Sequence, residues 1–208
     1  MWGGWYSDSL LMDDLAMMKE LYEGDCPFTR TSLGAEAVYF ADERAYENYN
    51  FGASLATSAV TSHIKMGSTG APYDTHMVED AAEVLPSYKA AIFGSPYPSD
   101  AGRRAIELCR EMDIPHLVAS EEHPVFSAAE IRAFLKEAGI HVYIENNDVI
   151  YAGNGYLGIH AASAGKKKIM LPCECRISPI FGCDIEEASA SSIELELEKF
   201  GTALFRIS

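Results

Sequence analysis

The sequence predicts an α/β fold: a mainly parallel sheet with flanking helices, followed by a small antiparallel β domain. Three observations predict it. Ala90-Ala91-Ile92-Phe93 is an unbroken apolar run between Lys89 and Gly94-Ser95-Pro96, the pattern of a strand buried on both faces. A helix follows, with Ser99 or Asp100 as N-cap and Ala105, Leu108, Cys109 and Met112 at helical spacing, and then the apolar run Ile114 to Ala119; strand alternating with helix at this distance is the βαβ arrangement. After Gly139 the runs shorten and are separated by Asn-Asn-Asp, Gly-Asn-Gly and Ser-Ala-Gly, the punctuation of antiparallel strands.

Taken in order, a helix starts near Ser7 or Asp8, and Leu11, Leu15, Met18 and Tyr22 mark its buried face. Gly24 to Gly34 is polar, contains Pro27 and reads as a linker. Ala35 to Ala41 is the first strand. A segment of weak helical periodicity runs from Asp42 or Glu43 to Met66, with a break at Gly52. Tyr73 to Val78 and Lys89 to Phe93 are the second and third strands, and Ile114 to Ala119 is the fourth. Ser127-Ala128-Ala129-Glu130 is a capping box; Ile131, Phe134, Leu135 and Ala138 follow on one face, and Gly139 ends that helix. His141 to Glu145, Val149 to Ala152, Tyr156 to Ala161 and Lys168 to Leu171 are short β runs, and Ile193 to Leu197 with Ala203 to Ile207 reads as a closing hairpin. The expected organisation is residues 1–34, 35–140 and 141–208, the last as a small β-sandwich.

Composition narrows the function. With 31 acidic against 16 basic residues the net charge is −15, which opposes nucleic acid and anionic membrane as partners, because both need clustered Lys and Arg. No apolar stretch approaches the roughly 20 residues of a membrane span, and no basic segment leads into an apolar run at the N-terminus; the expected compartment is the cytoplasm. The length of 208 residues is short of the roughly 250 of a TIM barrel. Five cysteines, an odd number in a chain large enough to build a core, argue for reduced thiols.

Each motif that suggests chemistry meets a physical objection. Gly153-Asn154-Gly155-Tyr156-Leu157-Gly158 has the spacing of a dinucleotide fingerprint, but the turn Ser163-Ala164-Gly165 leaves no room for the helix that must receive the pyrophosphate, so a hairpin turn is expected. Gly165-Lys166 lacks the spacing and the Ser or Thr of a phosphate loop, and Lys166 to Lys168 read as a solvated turn. Gly94-Ser95-Pro96-Tyr97 has neither a Cys nor the second Gly of a nucleophile elbow, and Cys109 lies on an apolar helix face. Cys173-Glu174-Cys175 with Cys183 lacks the usual zinc spacing, and a fourth ligand such as His160 is not placed by sequence. No two of the six histidines are paired at H-x-x-x-H spacing. No cofactor, metal or catalytic residue is assigned.

Gly70-Ala71-Pro72-Tyr73-Asp74, then Tyr88-Lys89-Ala90-Ala91-Ile92-Phe93, together with Asp148 to Pro172, resembles the region after the barrel in beta-galactosidase-type glycoside hydrolases of family 42 and their relatives. The resemblance implies that the parallel sheet is amidotransferase-like (flavodoxin-like), that the small β domain is the tail of such an enzyme, and that the chain is a non-catalytic structural and trimer-forming part whose catalytic barrel lies elsewhere. Met1-Trp2-Gly3-Gly4-Trp5-Tyr6 resembles the loop after the last barrel strand, and the first helix the last barrel helix. Trp2 and Trp5 are then sugar-contacting candidates, since flat rings stack on a pyranose. The two acidic residues of glycoside hydrolysis would lie on barrel strands outside this sequence. Two other readings stay open: a sugar- or small-molecule-binding module with its ligand near Asp42, Glu79 and Ser95 at the strand ends, and a divergent hydrolase using Ser95.

Overall fold

A computed structural model describes residues 9–23, 34–48 and 56–208. Trp2, Trp5, the break expected at Gly52 and most of the expected linker lie outside those residues. The first sheet is built from β1 (Ala37–Ala41), β2 (Tyr73–Met77), β3 (Ala90–Phe93) and β4 (His116–Val118), all parallel, in the order β2-β1-β3-β4. β3 is buried along its whole length, as its apolar run requires.

Helices cover both faces. On one side α2 (Ala56–Met66) and α5 (Ala128–Glu137) close over Tyr39, Ile92 and Ala37, with Met66, Ile131 and Leu135 fully buried. On the other side the short α3 (Ala81–Val84) and α4 (Asp100–Glu111) close over Val38, Phe40 and Phe93. The predicted caps are present: Ser99 Oγ accepts from Gly102 N (3.1 Å), and Ser127 and Glu130 form a reciprocal capping box. The Ser127 hydroxyl and then its backbone N–H hold the Glu130 carboxyl below the usual carboxylate range. Gly139, at φ 72°, turns the chain out of α5.

The second sheet is antiparallel, in the order β5-β6-β9-β7-β8, from β5 (Val149–Gly153), β6 (Tyr156–His160), β7 (Gly165–Phe181), β8 (Ala188–Leu197) and β9 (Thr202–Ile207). β5 and β6 are joined by Asn154-Gly155, at φ 52° and 77°, the two-residue turn whose twist matches a hairpin. This is the turn expected in place of a nucleotide loop.

Four readings of the sequence need correction. The segment 193–197 does not pair with 203–207: β8 is an edge strand on β7, and β9 lies between β6 and β7. Both strands pair with β7, which is 17 residues long: β8 lies along one edge from Gly165 to Ile177, across a register shift between Met170 and Cys175, and β9 takes the other edge from Ile177 to Phe181. Lys167 is not solvated: strand alternation turns it inward while Lys166 and Lys168 face out. Residues 141–145 form no strand. Finally α1 (Ser9–Glu23) does not bury Leu15 and Met18, which are 44% and 61% exposed.

Inside the second sheet, Asp148 and Lys167 are buried together. Lys167 Nζ donates to Asp148 Oδ1 at 3.1 Å, and that oxygen also accepts from Ala162 N at 2.8 Å. Oδ2 lies 2.8 Å from Nζ, a charge contact rather than an aligned hydrogen bond. The pair ties the start of β5 to the start of β7 and so holds the sheet folded over one core of Ile150, Leu157, Ile159, Ile169, Ile193 and Phe205.

The two units meet at a seam. Tyr143 N donates to Gly70 O (2.8 Å), and Tyr143 O accepts from Met170 N (2.8 Å). Arg132 donates to Thr69 O and Ser68 O, both at 2.8 Å, and to Asn147 Oδ1 at 2.7 Å. Gly70 has φ 78°, and a side chain there would run into the Ile144 carbonyl.

Two outcomes follow in urea unfolding. Asp148→Ala should lose about 3–5 kcal/mol by leaving the Lys167 charge buried alone, whereas Asp148→Leu combined with Lys167→Met should recover most of that loss. Gly70→Ala should cost well over about 1 kcal/mol, more than a surface Gly→Ala such as one at Gly153.

Candidate functional site

An open parallel sheet receives ligands outside the carboxyl ends of its strands, where strand order reverses. Here the reversal falls between β1 and β3. Asp42 follows β1 directly and Ser95 follows β3 by two residues; with Tyr39, Val60 and His63 they line a cavity of about 90 Å³. Glu79, after β2, is outside it, exposed and 3.7 Å from Arg44. The three strand-end candidates are therefore not assembled into one ligand set.

The Asp42 carboxylate is engaged by the backbone. Oδ2 accepts from Ser99 N (2.8 Å) and Oδ1 from Ala45 N (3.1 Å). The first bond places a negative charge at the N-terminus of α4, where the helix dipole favours it. Gly102 makes room for the carboxylate, since any side chain there would run into Oδ2. Ser95 is buried, and its Oγ accepts from Tyr97 N at 3.3 Å. His63 stacks on Tyr39 with ring centroids 4.5 Å apart, bonds Thr75 Oγ1 through Nε2 (3.2 Å), and has its pKa lowered by burial. A cavity this size falls below the roughly 300–1,000 Å³ of small-molecule sites; the arrangement is that of a helix anchor.

A larger cleft, about 440 Å³, opens between the two sheets. Tyr73, Asp74 and Thr75 of β2 form one wall, and Val149 to Gly153 of β5 the other, with Asn154, Tyr156, Gly158 and Leu204 completing it. β2 and β5 are both edge strands. Tyr151 is 69% exposed and pairs across the hairpin with Gly158, which leaves its ring uncovered. Tyr73 sits edge-on to His63 at 5.8 Å; burial, and then the Tyr151 phenol, raise its pKa. Asp74 Oδ2 accepts from the Tyr88 hydroxyl at 2.7 Å. Sequence reasoning treats Tyr73 and Tyr151 only as strand residues. The usable signal is the Asn154-Gly155 turn, which fixes the hairpin register and sets Tyr151 opposite a glycine.

The cysteines are placed as follows. Cys109 is fully buried and its thiol is pushed up to about 11 by burial. Cys173 and Cys175 lie at the β7 irregularity with sulfurs 3.5 Å apart, and burial, then the bond to Cys173, pushes Cys175 up to about 11. His160 bonds Thr202 Oγ1 through Nδ1 (2.8 Å) and stacks on Phe200. Among the described residues no three His, Cys, Asp or Glu side chains converge as a metal set, and no helix is long and apolar enough to cross a membrane.

No family model and no curated protein matches this sequence. Among solved structures, the apo exo-carrageenase GH42 from Bacteroides ovatus is similar at 11% identity and a TM-score of 0.46, over 83% of this chain and 29% of that one. Such a similarity assigns neither activity nor ligand to this chain.

The anchor role of Asp42 is tested by Asp42→Ala, which should lose about 2–3 kcal/mol in urea unfolding through two unmet backbone donors. Unchanged stability would return this carboxylate to the set of ligand-binding candidates.

Proposed function

We propose that this chain is the non-catalytic C-terminal region of a beta-galactosidase-like glycoside hydrolase, and that it serves by supporting the catalytic barrel and joining subunits. The observation that carries this reading is α1. Its outward face leaves Met12, Leu15 and Met18 at 46%, 44% and 61% exposure. Its inward face is seated loosely: a gap of about 410 Å³ remains between Met17 and Leu21 and the β6–β9 surface. Exposed apolar side chains grouped on one helix are the kind of surface that a further neighbour covers.

The sequence resemblance supplies the kind of neighbour: a barrel in the parent enzyme, and further copies of this chain across the subunit interface. The strand-end groups add support, because Asp42 is committed to anchoring α4. The free-standing module and the Ser95 hydrolase gain less, since their cavity is small and Ser95 is buried within it.

Light scattering on the purified chain, beside an assay with nitrophenyl galactoside, tests the proposal. A defined oligomer, a trimer by the family resemblance, should form without release of nitrophenol, and Leu15→Asp with Met18→Asp should convert it to a monomer of unchanged circular dichroism. A monomeric parent chain, or one that cleaves the glycoside, would overturn it.

A further inference from the structure

We infer that the cleft between β2 and β5 is a binding site for a neutral polyhydroxylated ligand, a mono- or disaccharide held between Tyr73 and Tyr151. The inference rests on the cleft's own chemistry and stands apart from the accessory role.

Size comes first. At about 440 Å³ the cleft falls within the range of sites that enclose small molecules, and it is several times larger than the strand-end cavity.

The lining then selects the ligand. Sugars present both an apolar C–H face and a rim of hydroxyl groups, so a sugar site joins an aromatic ring with neutral donors and acceptors. Tyr151 supplies an open ring, because Gly158 beside it has no side chain to cover it. Tyr73, Thr75, Asn154 and Tyr151 carry hydroxyl or amide groups on the lining. The two walls are sheet edges, where main-chain groups alternate between the ladder and the cleft.

Charge excludes the main competitors. Among the described lining residues there is no Lys or Arg, and Asp74 contributes a carboxylate. Arg206 is turned onto Tyr156, 5.7 Å above its ring, with Nη2 donating to the Tyr156 hydroxyl at 3.3 Å. A phosphate or carboxylate ligand would meet no Lys or Arg among the described lining residues, whereas a neutral sugar loses nothing by that.

The wall is also preorganised. Tyr156 is fixed by Arg206 and by its own hydroxyl, which donates to Leu21 O at 3.4 Å. Tyr73 is held edge-on by His63, itself bonded to Thr75. Ordering these groups in advance removes part of the entropy lost on binding.

Isothermal titration of the full chain with galactose, glucose, lactose and maltose decides the matter. At least one sugar should bind saturably with a Kd of about 0.1–10 mM, and inorganic phosphate should neither bind nor compete. Tyr151→Ala should weaken that binding at least about tenfold with unchanged circular dichroism, since its ring is mostly in solvent. Should that variant misfold, Tyr73→Phe removes one hydroxyl alone and should still weaken binding severalfold. Absence of saturable binding by all four sugars, or affinity unchanged in both variants, would overturn the inference.

Discussion

The seam between Ser68–Gly70 and Tyr143–Asn147 is the constraint on which the rest of the structure depends. The backbone of one residue, Tyr143, is bonded through its N–H to Gly70 and through its C=O to Met170, so the parallel and antiparallel units share a hydrogen-bonded strip rather than a side-chain interface alone. Arg132 reinforces it from α5 by binding two carbonyls and an amide. The approach is close enough that residue 70 can have no side chain. Both surfaces argued to matter inherit their geometry from this strip: the cleft between β2 and β5, and the face of the β5–β6–β9 surface on which α1 rests.

The antiparallel unit keeps its own shape by a different device. A five-stranded antiparallel sheet with one apolar face must fold over or pack against something to bury that face. β7 carries a register irregularity around Pro172, and the Asp148–Lys167 pair ties it to the start of β5. Burying two charges is costly unless they are paired and further hydrogen bonded; Ala162 N and the Ser163 hydroxyl supply those extra partners. One consequence is that β5 is left as an edge strand facing β2, which is how the cleft acquires two sheet edges as walls.

Local rules made much of this legible in the sequence. The buried run of β3, the Ser99 cap, the capping box at Ser127 and the Asn154-Gly155 turn each depend on a few adjacent residues, and each is found where the pattern put it. What was not legible depends on partners far away in the chain. Lys167 sits in a basic triplet that reads as solvent-facing until strand alternation and Asp148 are known. β9 lies between β6 and β7 through pairings with residues 156–160 and 177–181 that no hydrophobic period records. The apolar positions of α1 mark a face, but a period cannot say what covers it. At the candidate sites, the strand ends were located correctly, yet the commitment of Asp42 to the α4 backbone appears only in three dimensions, as does the meeting of Tyr73 with Tyr151.

These features describe a molecule whose Asp42 serves the fold and which presents the α1 face and the inter-sheet cleft among its open surfaces, with the two sheets joined at one seam. Native-state hydrogen exchange at the amides of Tyr143 and Met170 tests that claim most directly. If the seam joins the two units cooperatively, these amides should exchange only through global unfolding, as slowly as the core amides of β3 and β9. Exchange by a separate, lower-energy opening, with the two sheets remaining protected, would show that the units are independent and that the cleft is not a fixed feature.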